Sequence, residues 1–596
     1  MLNQELLLQA YDSHKRGDSG AAERVCRQLL RVEPTSFAAR HLLGIVLAQQ
    51  NRNLEALEWI DAALELRPEA HEALANRSGV LRVLGRHHEA FADIERALTI
   101  SPGLAPVWNK RGNILRDLGR IEEALESYGH ALELKPDYAE AFHNRGTVLR
   151  DLGRGKEAVQ NYDQALALRP DSAEAYYNKA NALQDLGRLE EAADYFTRAL
   201  ALRHTYVEAH YNRANVLCDL NRVEEALAGY DRAIALNPRF AEAHNNRSNL
   251  LRDLGLPEEA LAGYDRAIAA NPQYGEAYLN KGLTTLLLGC FADGWPLFEW
   301  RSDNRNHLAN PALSNKFRWN GHENIRGETL FVYAEQGLGD TLQFCRFARH
   351  AVTLGAQVIL AVQDPLVRLI TSLSPDITVT GWTSVPNQFD RHISLLSMPL
   401  CFGTVTETIP ADVPYLHAQL ERIHHWRQRI GGEGFKVGIA WQGNINSPAD
   451  AGRSFPLAAL VELAAIPGVR LISLQKNEGI EQLDSLSSHI QVETLGRDFD
   501  AGSDAFLDTA AAMESLDLVI TPDSAIAHLA GALGRPVWVA LKFVPDWRWQ
   551  LHRSDSPWYP TMRLFRQHTR GQWRSVFATM NEELREAARL KLPLGC

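Results

Sequence analysis

The sequence predicts an α-helical repeat solenoid followed by an α/β half built from two facing parallel-sheet units. Three observations predict this. Prolines fall at 34, 68, 102, 136, 170, 238 and 272, so the first half repeats every 34 residues. That periodicity stops after Trp300. Beyond it, short β-prone apolar runs alternate with turns and helix-forming stretches, the order that favours parallel strands.

In the repeat half, each 34-residue unit carries the same landmarks. A small residue lies in the first helix (Gly44, Ser78, Gly112, Gly146, Ala180, Ala214, Ser248, Gly282). An alanine lies early in the second (Ala22, Ala56, Ala90, Ala124, Ala158, Ala192, Ala226, Ala260). Small residues let paired helices approach closely. Glycine marks the turn between helices at 17, 85, 119, 153, 187, 255 and 289, with Asn51 and Asn221 in the remaining slots. A helix–turn–helix of this length with these landmarks is the tetratricopeptide pattern. It is expected to cover 1–301 in about nine repeats, the first degenerate, ending in a capping helix over 290–301. Trp295 and Trp300 would cover the last open face. Single repeats cannot bury their own apolar faces, so stacking them makes a solenoid with a concave surface.

Two further ladders run at the same period. Asparagine stands at Asn76, Asn144, Asn178, Asn212, Asn246 and Asn280, with Lys110 in the missing slot. Aspartate stands at Asp117, Asp151, Asp185, Asp219 and Asp253. A carboxamide on a concave face can donate to and accept from a peptide backbone at once. The alternative is that these side chains are solvated or tie neighbouring repeats together. The asparagine ladder resembles that of the superhelix of O-linked N-acetylglucosamine transferase, which implies an extended polypeptide partner.

Residues 302–327 read as a linker, followed by an α/β domain over 328–430 and a second over 431–596. In the first, Thr329–Ala334 predicts a strand, Glu335–Asp340 a glycine-rich turn, and Thr341–Thr353 a helix. Strands at Gln357–Val362 and His392–Leu396 and a helix at Pro365–Leu373 follow. In the second, strands are expected at Phe435–Trp441 and Val469–Leu474, with a helix starting near Arg453. The last unit is Leu516–Leu541, reading strand, Thr521–Ser524 turn, helix Ala525–Leu533, Gly534 stop and strand Val537–Leu541. Its helix N-terminus offers free N–H groups and the positive dipole end, which attract phosphate. Simple capping by Asp523 or Ser524 is the alternative. Trp547 and Trp549, around Arg548, suggest a strand edge or rim.

Composition narrows the classes. At 596 residues and net charge −11, with no basic block, a nucleic-acid surface is not expected. Six scattered cysteines without a CxxC pair argue for reduced thiols in a cytoplasmic protein and against a structural zinc site. The opening MLNQELLLQAYDSHKRGD lacks the basic and apolar regions of a signal peptide. No apolar run reaches the roughly 18 residues of a membrane span, so no membrane insertion is expected.

The pieces AEQGLGD (334–340), GIAWQGN (438–444), RSFPL (453–457), SLQK (473–476), TPDSAIAHLAGALGRPVWVAL (521–541) and PDWRW…DSPWYP (545–560) carry a resemblance. Residues 327–596 resemble bacterial tetratricopeptide-linked glycosyltransferases whose catalytic part is similar to lipopolysaccharide heptosyltransferases. The resemblance implies a GT-B fold, with two facing Rossmann-like domains, no metal and no cofactor beyond a nucleotide-sugar donor. It implies that Thr521, Asp523, Ser524, Ala525 and His528 face the donor, with Trp441, Gln442 and Asn444 on the opposite turn. Arg453, Ser454 and Lys476 would neutralise the leaving phosphate, and Asp340 would be the catalytic base, with Glu335 in reserve. Capping of the next helix is the alternative for Asp340, a hydrogen-bonded structural role the alternative for His528, and surface charge the alternative for Arg453 and Lys476. The resemblance extends to flagellin-modifying enzymes, which implies flagellin as acceptor and a CMP-activated nonulosonic acid (pseudaminic or legionaminic) as donor. A scaffold or chaperone with an inactive second half, and a glycolipid or polysaccharide transferase, stay open as alternatives.

Overall fold

The computed structural model describes residues 2–301, 317–444, 450, 452–486, 491–502 and 505–590. The chain divides into two compact units, Met1–Pro238 and Arg239–Cys596.

Among the described residues, the first unit is fourteen α-helices, from Leu2–Lys15 to Val223–Leu236, packed as successive pairs. The turns within pairs take a left-handed residue, which costs glycine nothing and asparagine little. Gly85 sits at φ 76°, and Asn51 and Asn221 fill the same role at 60° and 58°. The alanine ladder is fully buried from Ala22 to Ala226. At Gly112 a Cβ would lie 2.5 Å from the Tyr128 ring, so close helix approach requires glycine there. Ion pairs stitch the helices: Arg77 bridges Asp61 and Asp93, and Lys179 pairs with Asp163.

The second unit begins with four more helices, Ala241–Asp253, Pro257–Ala270, Gly275–Leu287 and Phe291–Phe298, and continues into the α/β part. The compact unit therefore starts at Arg239 rather than at the boundary near 301 expected from periodicity. The physical reason is a shared core. Leu286, Leu287, Phe291, Trp295 and Phe298 belong to one apolar cluster with Leu330, Phe344, Trp547 and Trp558. Trp295 meets Trp547 edge-on at 5.3 Å and donates its indole N–H to the Thr404 carbonyl at 2.8 Å. It covers the α/β core, while Trp300 stacks flat on Tyr278 at 4.2 Å.

The first sheet contains β1 (Phe317–Arg318), β2 (Thr329–Tyr333), β3 (Gln357–Val362), β4 (Ile377–Gly381) and β5 (Arg391–Ser394). All pairs are parallel, in the order β1-β5-β2-β3-β4. Part of the expected linker is thus edge strand β1, and Trp319 and Ile325 are core residues; 302–316 lie outside the described residues. The helix expected at 341–353 starts at Leu338 and is divided at Cys345 into Leu338–Phe344 and Arg346–Thr353. The segment 365–373 is a string of short turns around Val367–Ile370 rather than one helix.

The second sheet contains β6 (Phe435–Ile439), β7 (Val469–Ser473), β8 (Val492–Thr494), β9 (Leu518–Pro522), β10 (Val537–Leu541) and β11 (Met562–Arg566). It is also all parallel, in the order β8-β7-β6-β9-β10-β11. Helix Arg574–Leu590 closes the described chain by packing Val576, Phe577, Met580 and Leu584 against this sheet's core. A buried arginine joins the two α/β parts. Arg346 donates to the Pro410 and Trp558 carbonyls at 2.8 Å each and to the Tyr415 hydroxyl at 2.7 Å.

Candidate functional site

Counted in chain order, the second sheet runs 3-2-1-4-5-6. In such doubly wound sheets, ligands bind beyond the strand carboxyl ends where the order reverses. That point lies between β6 and β9, and both strands end at one cleft of about 820 Å³. The turn after β2, Gly337–Asp340, forms the opposite wall. The walls are close: a Cβ on Gly339 would lie 3.0 Å from the His528 ring and 3.4 Å from the Ala525 Cα.

Of the residues singled out from sequence, Asp340, Gln442, Asn444, Arg453, Lys476, Asp523, Ser524, Ala525 and His528 line this cleft. Four do not. Trp441 is fully buried beneath the second sheet and gives its indole N–H to the Gly479 carbonyl at 3.0 Å. The strand alternation sends its side chain into the core, so it supports the cleft without contacting it. Ser454 is held by Asp450 at 2.8 Å and accepts the Gly443 N–H at 2.9 Å, which shapes the turn after β6. Thr521 is fully buried, with its hydroxyl 3.0 Å from that of Ser524. Glu335 lies in a separate network, bonded by Arg301 at 2.7 Å and by the Ser394 hydroxyl. Its carboxylate joins the 3-10 turn Glu299–Arg301 to β5 and does not line the cleft.

The helix Ala525–Ala532 starts behind Ser524, which makes no side-chain capping bond. Ala525 and Ile526 line the cleft, so the start of this helix faces the open space. Asp523 is 92% buried, and its Oδ2 has no hydrogen-bond partner among the described residues. Arg453 approaches to 3.6 Å, beyond hydrogen-bond reach, and its Nε is also without a partner. Burial and the nearby Asp546 push the Asp523 carboxyl up. Unsatisfied buried polar atoms in a cleft mark places where a ligand's polar groups complete the bonding. Lys476 donates to the Phe499 carbonyl. Gln475 holds the turn after β6 by accepting the Trp441 N–H at 3.0 Å and donating to the Gln442 carbonyl at 2.9 Å.

Asp340 sits in the first turn of its helix. Its Oδ2 accepts the Gly337 N–H at 2.9 Å and its Oδ1 is ion-paired with Arg548. It is thus both a helix cap and a cleft residue. Burial pushes its carboxyl up, and Arg548 opposes that shift. The sequence did not single out Arg548, Asp546, Asp500 or Phe506, which also line the cleft. The only signal for Arg548 was a charge between two tryptophans. The strand edge expected there is a buried 3-10 turn, and Trp547 and Trp549 serve packing, as core residues, rather than base stacking.

His528 stacks on Trp549 at 5.3 Å and shares a 3.0 Å hydrogen bond with the Tyr559 hydroxyl. Burial first, then Arg548, Arg346 and Arg453, hold it well below its ordinary range, so it stays neutral. The unfolded chain takes up this proton as pH falls through about 6.5 and the folded chain does not, so stability falls toward acid. The loss approaches about 1.4 kcal/mol per pH unit below that point. Denaturant unfolding at pH 7 and pH 5 should show a smaller acid loss in His528→Gln than in wild type. An equal loss in both would rule His528 out as a source.

The asparagine ladder ties repeats together. Asn76 meets His41 at 3.0 Å and accepts from Lys110 at 3.0 Å. Asn144 donates to Asn109 at 3.1 Å, Asn178 meets His143 at 3.2 Å, and Asn212 donates to Tyr177 at 2.9 Å. In the second unit Asn280 donates to Asn245 at 3.0 Å, and Asn246 accepts from Asn245 at 3.2 Å. Each of the five cross-repeat bonds reaches back 35 residues to the previous repeat. The Oδ1 atoms of Asn144, Asn178 and Asn212 accept no protein hydrogen bond among the described residues, which leaves acceptors for a bound chain. The aspartate ladder is likewise structural at Asp117, paired with Arg82 at 2.9 Å, and at Asp185, near Arg150 at 3.7 Å.

No group of three or more metal-ligating side chains occurs among the described residues, and no described helix is long and apolar enough to cross a membrane.

Family models of the tetratricopeptide repeat match residues 7–70, 60–105, 112–153, 146–187, 173–206 and 211–289. Protein FlbA of Caulobacter vibrioides is 28% identical over 334 residues, covering 51% of this chain and 54% of that protein. The chain thus spans about half the length of the curated relative it matches. Among solved structures, MamA is 25% identical and covers 27% of this chain and 95% of its own, with a TM-score of 0.27. YrrB, titled a TPR protein with an unusual peptide-binding site, is 26% identical and covers 32% of this chain and 98% of its own, with a TM-score of 0.29. The matched segments fall on the paired helices with left-handed turns, and they identify residues 7–289 as an array of tetratricopeptide repeats.

Proposed function

We propose that this chain is a protein O-glycosyltransferase of the GT-B type, with the repeat array recruiting a polypeptide and the cleft transferring a sugar to it. The observation that supports this reading is the meeting of two parallel sheets at one cleft, where the switch point of the second faces the glycine-rich turn of the first. A nucleotide-sugar donor suits the carboxyl ends of β6 and β9, where Arg453 and Lys476 and the start of helix Ala525–Ala532 answer the leaving phosphate's charge. In the transfer, the acceptor hydroxyl oxygen bonds to the anomeric carbon. The bond from that carbon to the phosphate oxygen breaks, its electrons leaving with the nucleotide. Asp340 takes the hydroxyl proton.

Flagellin as acceptor and a CMP-activated nonulosonic acid as donor follow from the resemblance of residues 327–596 to flagellin-modifying enzymes. The open asparagine acceptors support a polypeptide partner. The test is incubation of the full chain with flagellin and CMP-pseudaminic or CMP-legionaminic acid, followed by intact-mass measurement. A mass increase equal to whole sugar residues on Ser or Thr supports the reading. Unmodified flagellin with nucleotide-sugar turnover elsewhere would move the acceptor to another molecule. Absence of donor binding would return the second half to a scaffold role.

A further inference from the structure

Arg548 is 7% exposed, and its guanidinium is engaged on three sides. Its Nε donates to Gln343 Oε1 at 2.6 Å, its Nη1 to Asp546 Oδ1 at 2.8 Å, and its Nη2 pairs with Asp340. The guanidinium carbon lies 4.5 Å from the Trp547 ring centre and 5.4 Å from that of Phe344. Asp546 and Trp547 follow β10, whereas Asp340, Gln343 and Phe344 belong to the helix after β2. The arginine therefore reaches from one α/β part to the other at the cleft wall. It is the only ion-pair partner of Asp340 among the described residues.

We propose that Arg548 is a positioning residue for sugar transfer: from the donor-side sheet it holds the Asp340 carboxylate of the facing part in place to accept the hydroxyl proton. This inference rests on the transferase reading. The geometry requires an arginine, because one planar fork serves Asp340, Asp546 and Gln343 together, and a lysine presents a point charge instead. The charged groups facing Asp340 are Arg548 and Asp546 from the turn after β10 and Arg453 from the loop after β6, beside neutral His528 and buried Asp523 on the helix side. Arg548 and Arg453 lower the carboxyl, while burial and Asp546 raise it. Burial already outweighs these arginines, and without Arg548 the group holds its proton to still higher pH. The two partners sit on different α/β parts, so the proton acceptor is assembled only while the cleft keeps its present width.

The test follows the Asp340 carboxyl by carbon-13 NMR in full-length protein labelled at aspartate, with Asp340→Asn providing the assignment. In Arg548→Gln the titration midpoint should rise by more than about one pH unit, since a lost charge partner at this distance is worth that much or more. Arg548→Lys should return only part of it, because a point charge cannot serve Asp340, Asp546 and Gln343 together. Asp546→Asn, which removes the competing carboxylate charge and leaves a carbonyl oxygen to accept from the Arg548 Nη1, should lower it. In the transfer assay the acid limb of the kcat/KM profile should move upward with the midpoint in Arg548→Gln, whereas a merely structural role would depress the rate equally at every pH. An unmoved midpoint alongside normal wild-type transfer would overturn the proposal alone. No transfer by wild type would remove the reaction itself and the proposal with it.

Discussion

In the proposed reaction, replacing Asp340 with Asn should lower the rate of sugar transfer by about 10²–10⁴-fold, the usual worth of a positioned general base. Single-turnover transfer at saturating donor is the measurement, because it isolates the chemical step. The substitution keeps the side chain's shape, and its carbonyl oxygen can still accept the Gly337 N–H that starts the helix at Leu338. Arg548 retains Asp546 and Gln343 as partners, so the cleft wall should persist. Donor binding should change little, which separates lost chemistry from lost folding. Near-normal turnover in Asp340→Asn would reject it as the proton acceptor and turn attention to Asp523, a cleft carboxylate whose Oδ2 has no hydrogen-bond partner among the described residues.

Trp295→Ala should destabilise the second unit by about 3–5 kcal/mol, the usual cost of truncating a large buried aromatic. Trp295 is 2% exposed and touches Phe291, Phe298 and Trp547. Its loss opens a cavity and strips the Thr404 carbonyl of its donor. Trp547 carries the Arg548 guanidinium on its face, so the variant should also slow transfer. Trp300→Ala is the control. That ring is half-buried and stacks on Tyr278 within the repeat helices, so its removal should cost far less. Equal losses in denaturant unfolding of the two variants would show that the last repeat helix is not part of the α/β core.

The contrast between these two tryptophans shows what can be read from sequence. Both look like caps on an open helical face, because periodicity reports which residues share a face and not what covers it. The helices themselves are legible, since a 34-residue unit is a local object. Its glycine turns need only a left-handed residue, and its alanines only a nearby helix. Strands β6, β9 and β10 are legible for the same reason, as short apolar runs with a turn at each end. Edge strands β1 and β8 are not, because two exposed residues in one and three largely exposed residues in the other are too short to carry alternation of that kind. At the cleft, residues flanking a glycine turn or a helix start were found: Asp340, Gln442, Asp523 and Ser524. Trp441 was misplaced because a strand's last side chains alternate between sheet face and cleft, and a one-residue error reverses the assignment. Arg548 was missed because its meaning lies in Asp340, 208 residues away in the chain.

The core shared by the last repeat helices and the α/β part has a further consequence. In a stacked array each repeat answers only to its neighbours, so the number of repeats is free to drift by duplication and loss. That freedom ends where a repeat also serves as a wall of another core. The helices from Gly275 to Phe298 cannot be exchanged for a generic repeat, because Leu286, Phe291 and Trp295 are cut to fit the tryptophans after β10. Lineages of this architecture should therefore vary in reach at the Met1 end and stay invariant in the last pair. Repeat number would then act as a gauge for the length of polypeptide held, set independently of the chemistry at the cleft.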